Sequence, residues 1–66
     1  MVSNKVMNHV VEKLNNEQVL LDELRAKYHA CSDVSMKVSY AASMALHQSV
    51  IDALKEVVEI MLKEVG

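Results

Sequence analysis

Tyr28-His29-Ala30-Cys31-Ser32-Asp33-Val34-Ser35 is the stretch on which the fold turns, because the apolar pattern changes register across it. Upstream, Met7, Leu14, Leu21 and Tyr28 fall seven residues apart, and Val10, Glu17, Leu24 and Cys31 fill the second position of the same seam. Val6, Val11 and Leu20 are expected to widen that stripe. Downstream, Met44, Ile51, Val58 and Val65 repeat at seven, interleaved with Tyr40, His47, Leu54 and Met61. Each half therefore reads as an amphipathic helix with coiled-coil character.

The two halves cannot be one straight helix. Continued from Tyr28, the first seam predicts 35 and 42, whereas the second sits at 37 and 44. A slip of two residues rotates the apolar face by about 200° on a helix of 3.6 residues per turn. It matches neither of the usual three- or four-residue interruptions of a heptad. The chain must turn between the seams, and Ser32 or Asp33 can cap the helix that follows. The expected fold is all-α: an antiparallel hairpin of helices over about 3–31 and 34–65, within a single domain spanning 1–66. There is no proline, and the one glycine is Gly66, so nothing else in the chain demands a break. Asn15-Asn16 is a weak point, but the heptad runs through it from Leu14 to Leu21, which favours an unbroken helix.

A chain of 66 residues buries only about 60% of its surface and is marginal alone. One cysteine, Cys31, excludes an intrachain disulfide, which leaves helix packing and oligomerisation as means of stabilisation. The net charge of −2 does not favour nucleic acid, whose binders present a basic face. The uncharged stretch 38–51 is too short and too polar to span a bilayer. The opening Met-Val-Ser-Asn-Lys leads into no apolar signal core. A cytoplasmic location is the default expectation, and it suits a lone reduced thiol.

Between 34 and 65, 19 of 32 residues are apolar, more than one stripe can hold. Leu46, Val50, Ala53, Val57 and Ile60 make a second row at helical spacing, leaving a narrow polar strip of Ser49, Asp52, Glu56, Glu59 and Lys63. A helix with two apolar rows wants two neighbours. One is the first helix of its own chain. The other is expected to be the same helix of a second copy, giving a homodimeric four-helix bundle. A different protein on that row, or a monomer with an exposed patch, are the competing outcomes. The small residues Ala41, Ala42, Ser43 and Ala45 are expected to face the larger Leu21, Leu24 and Tyr28 across the hairpin.

Among polar residues, Glu17 and His47 each occupy a seam position and should lie level in the hairpin. They are expected to form a buried or half-buried polar layer that fixes register, with Gln18 and Gln48 nearby. A seam histidine is also the residue type from which pH switches are built. His29, Cys31 and Asp33 carry metal-ligating atoms, but residues two apart on a helix point about 200° away from each other. His9 with Glu12 lacks the Glu-before-His order of the bundle di-iron sites. No serine sits in a nucleophile context and no glycine-rich loop exists to cradle phosphate. No catalytic, cofactor or metal residue is therefore assigned. Glu23–Lys27 and Glu59–Lys63 are spaced for i,i+4 ion pairs.

The function expected from this pattern is non-enzymatic: a homodimeric interaction module acting as regulator, adaptor or inhibitor of a larger protein. Two alternatives come from other classes. One is a nucleic-acid regulator, since dimers of helical hairpins can bind RNA; that is an analogy of shape without a motif. The other is a structural subunit of a larger assembly.

Overall fold

The computed structural model describes residues 4–65, apart from the side chain of Val65. It contains two helices, α1 (Asn4–Ala30) and α2 (Val34–Val65), packed against each other along their length. The expected start of the first helix at 3 and the seam position at Val65 lie outside the described residues and side chains. The first helix stops at Ala30, one residue before the expected end.

At 1.5 Å per residue, the 27 residues of α1 span about 40 Å and the 32 of α2 about 48 Å. The molecule measures 49 × 14 × 12 Å, so α2 sets its length. The Cα radius of gyration is 15.1 Å, against about 11 Å for a compact globule of this size. A rod two helices wide has almost no interior. Among the described residues only Leu21, Ile51 and Met61 are buried.

The turn follows from local chemistry. The Cys31 N–H donates to the Tyr28 carbonyl at 3.3 Å, a tightening that closes the last turn of α1. Asp33, rather than Ser32, caps α2: its Oδ1 accepts from the Met36 N–H at 3.0 Å, and its carbonyl accepts from the Lys37 N–H at 2.9 Å. Asp33 sits three residues before Met36, so its carboxylate reaches the otherwise orphaned N–H of the first turn. Its negative charge also lies at the positive end of the α2 dipole. The Cys31 thiol donates to the Asp33 carbonyl at 3.5 Å. The link needs no left-handed residue, which is why a chain without an internal glycine can make it.

Burial follows the two heptads. Met7, Val10, Leu14, Glu17, Leu21, Leu24, Tyr28 and Cys31 are the residues of α1 and the link that are half-buried or buried. In α2 the same holds at Lys37, Tyr40, Met44, His47, Ile51, Leu54, Val58 and Met61, joined by Ser43 and Val50. Helix α1 runs unbroken through Asn15-Asn16.

Three expectations fail on detail. Val6, Val11 and Leu20 do not widen the stripe of α1; they are 52%, 37% and 43% exposed. The seam is two positions wide because only one helix packs on it. Ala41, Ala42 and Ala45 do not face α1 either: all three are exposed, and Ser43 alone of that group is half-buried. Their heptad positions put Ala42 and Ala45 on the outer side of α2 and Ala41 at the edge of the seam. The ion pairs among the described residues are Lys13–Glu17 and Arg25–Asp22, with the His47–Glu17 contact, and not Glu23–Lys27 or Glu59–Lys63. Exposed pairs of this kind contribute between nothing and about 1 kcal/mol, so the substitution of one set for the other is of little consequence.

Candidate surface and the polar layer

Two features stand out beyond simple packing: a polar layer inside the seam and an apolar row outside it. Helix α1 carries Glu17 into the seam and α2 carries His47 in from the opposite side. The His47 Nδ1–H donates to Glu17 Oε2 at 2.5 Å, with the two side chains 27% and 14% exposed. Lys13 Nζ, one turn earlier on α1, lies 4.0 Å from the other carboxylate oxygen. Both oxygens of Glu17 therefore have partners, and the layer is half-buried rather than sealed. No buried side-chain nitrogen or oxygen among the described residues lacks a hydrogen-bond partner.

Gln18 and Gln48 do not join this layer. Each turns back along its own helix, Gln18 Nε2 donating to Asp22 Oδ1 at 3.4 Å and Gln48 Nε2 to Asp52 Oδ1 at 3.0 Å. Ser49 likewise donates to the Ala45 carbonyl at 3.1 Å. Local i,i+4 partners are always in reach on a helix, whereas a cross-hairpin partner requires a seam position.

Lys37 fills the seam position that the downstream heptad sets at 37, and it is half-buried. Its ammonium lies 4.2 Å from the centroid of the Tyr28 ring, so its stem crosses the seam and its charge is placed on the aromatic face. Tyr28 also meets His29 edge-on, with centroids 5.4 Å apart and planes at 82°. Position 37 continues the heptad of Met44 and Ile51, but spacing alone does not show that an aromatic ring of the other helix lies beneath the ammonium. With Glu17–His47 and Tyr28–Lys37 as fixed points, facing residues have numbers that add to about 64 or 65. That sum sets the register of the whole hairpin.

The apolar row lies on the outside of α2. Leu46, Val57 and Ile60 are 65%, 41% and 52% exposed. Ala53 is exposed and Val50 is half-buried, at the border with the seam. In heptad terms, the seam takes the a and d positions and this row takes c and g. Their centres lie about 110° apart at 100° per residue. That is close to the right angle between the two neighbours of a helix at the corner of a square bundle. Further apolar residues, Val34, Met36 and Val38, are 75%, 49% and 64% exposed near the turn.

Shallow depressions lined by Lys5, Val6, Asn8, His9 and Glu12, by His9, Glu12, Lys13, Asn16 and Glu17, and by Ile60, Lys63 and Glu64 each lie along one helix. A wall on one side only cannot enclose a small molecule. No three His, Cys, Asp or Glu side chains among the described residues are placed to hold a metal ion, and His29, Cys31 and Asp33 do not converge. No helix of the described residues is long and apolar enough to cross a membrane. Comparison with family models, curated proteins and solved structures yields no match.

Proposed function

We propose that this chain is a non-enzymatic protein-interaction module that works as a homodimer, two hairpins associating through the outer row of α2 into a four-helix bundle. The observation that carries the reading is the exposure of Leu46, Val57 and Ile60 in one continuous row, on a helix whose other apolar face is already used. Covering such a row removes apolar area from water at about 25 cal/mol per Å². It also supplies the interior that a two-helix rod lacks. The shape supports the reading. The row from Leu46 to Ile60 runs about 21 Å at 1.5 Å per residue, along a rod 49 Å long and 14 by 12 Å across.

The dimer then acts on a larger protein as regulator, adaptor or inhibitor. Val34, Met36 and Val38, clustered at the turn end, are the group of exposed apolar residues best placed to meet such a partner, with Leu62 and the scattered residues of α1 lying apart from them. A cytoplasmic setting fits the single free thiol of Cys31.

Sedimentation of the purified chain tests the proposal. The expected mass is twice the 7.4 kDa of the chain. A monomer whose mass does not change with concentration rejects it. Salt-sensitive binding of RNA would transfer the bundle to the nucleic-acid class, and growth beyond the dimer with concentration would make it a subunit of a larger assembly.

A further inference from the structure

The proposed dimer leaves open how the two α2 helices run. We infer that they pair antiparallel, about a two-fold axis passing beside Ala53, with the two α1 helices on the outside. This deepens the self-association proposed above and rests on it.

The first argument is the order of side chains along the row. Leu46, Val50, Ala53, Val57 and Ile60 read nearly the same in both directions about Ala53. Antiparallel pairing about that residue sets Leu46 against Ile60 of the other copy and Val50 against Val57. Ala53 then meets Ala53 where the helices come closest, and small side chains there let the backbones approach. Just outside the row, Ser43 faces Glu64, a hydroxyl opposite a carboxylate. An isologous contact needs such self-complementarity only when the helices run in opposite directions. A parallel pair would set each residue against itself whatever the order.

Charge is the second argument. From 52 to 65, α2 carries Asp52, Glu56, Glu59 and Glu64 against Lys55 and Lys63. From 34 to 51 the only residue with a full formal charge is Lys37. Parallel pairing would lay the two acidic halves side by side, within a Debye length of about 8 Å. Antiparallel pairing lays each acidic half along the nearly uncharged half of the other copy and opposes the helix dipoles.

Helix α1 supplies the third argument. Its exposed large apolar residues, Val6, Val11, Val19 and Leu20, do not form a row, because they occupy g, e, f and g positions. It has one apolar face, and α2 covers it. A bundle in which α2 met α1 of the other copy would need a second face on α1. Pairing α2 with α2 makes the main contact between copies with the second apolar face that α2 already has.

The test places a spin label at the exposed Ser35, as Ser35→Cys with Cys31→Ser. Position 35 lies 18 residues from the axis, so at 1.5 Å per residue the labels of an antiparallel dimer are about 54 Å apart. A distance near that value supports the inference. A distance under about 25 Å means parallel helices and overturns it while leaving the dimer intact. A monomer by sedimentation with no inter-label distance overturns both this inference and the self-association beneath it. Register is checked by mixing Leu46→Cys and Ile60→Cys, each on Cys31→Ser, under mild oxidation. A mixed disulfide between 46 and 60, exceeding either homodisulfide, supports an axis at Ala53. Homodisulfides alone overturn it. Ser35 lies on the surface, so the label distance is readable even where a substitution in the row impairs association.

Discussion

Helices α1 and α2 share a seam, a heptad and nearly a length, yet they differ in what lies behind the seam. Behind that of α1 stand Asn8, His9, Asn15, Asn16, Asp22 and Glu23, with isolated valines among them. Behind that of α2 runs a second apolar row. One helix has a partner and is complete; the other has a partner and is still open. With three buried side chains among the described residues, the difference decides whether the hairpin is a finished domain or half of one. Exposed apolar residues scattered singly need no explanation, whereas a contiguous row on one face does.

The sharpest way to break the comparison is to attack the part both helices depend on. Ile51 is fully buried, and Ile51→Ala should cost about 2–5 kcal/mol of stability, read by urea denaturation. A cost below about 1 kcal/mol would mean that the seam does not hold the helices together.

Next comes the contrast itself. Val57→Glu puts a charge in the outer row of α2, and Val19→Glu puts one among the scattered residues of α1. They are 41% and 55% exposed in the hairpin, so exposure does not separate them. Val57→Glu should weaken dimerisation by about 2 kcal/mol or more, a roughly 30-fold loss or greater. Val19→Glu should change it little. Equal effects in sedimentation would erase the distinction between the helices.

A smaller effect is expected in the polar layer. His47→Leu should keep the helical content and cost about 1 kcal/mol, because Glu17 then sits half-buried with only Lys13 nearby. Adding Glu17→Leu should restore that stability, since it removes the carboxylate left without its partner. A double variant less stable than the single would show that the pair contributes more than register. The smallest effect, also about 1 kcal/mol or less, is expected for Asp33→Ala at the cap of α2. Ser32→Ala should be silent in the same thermal melt, and a loss there equal to that of Asp33→Ala would move the cap.

Much of this molecule was legible in its residues, for a reason that each case makes plain. The heptads of Met7–Tyr28 and Met44–Met61 are local patterns, and a helix converts spacing directly into a face. The two-residue slip between them located the turn to within a residue. Glu17 and His47 were recognisable because each is polar at a position where its neighbours in the heptad are apolar. The outer row was visible by the same rule. Position 37 was legible as part of the seam, but the contact of Lys37 with Tyr28 was not, because the ring belongs to the other helix. The alanines at 41, 42 and 45 were misplaced because level and facing are different things: they lie at the right height but outside the seam.

The amino-acid sequence by itself determined two helices, the place where the chain reverses and the positions that meet inside. Periodicity is a property of neighbours in the chain, so it needs no third dimension to be read. Tertiary structure decided which of Ser32 and Asp33 caps α2, which i,i+4 charges pair and where Gln18 and Gln48 turn. It also decided that facing residues add to about 64 or 65 along the hairpin. Each of these depends on how far one helix is rotated and slid against the other. That choice is made by contacts between residues far apart in the chain, 30 in the case of Glu17 and His47, where no local pattern reaches.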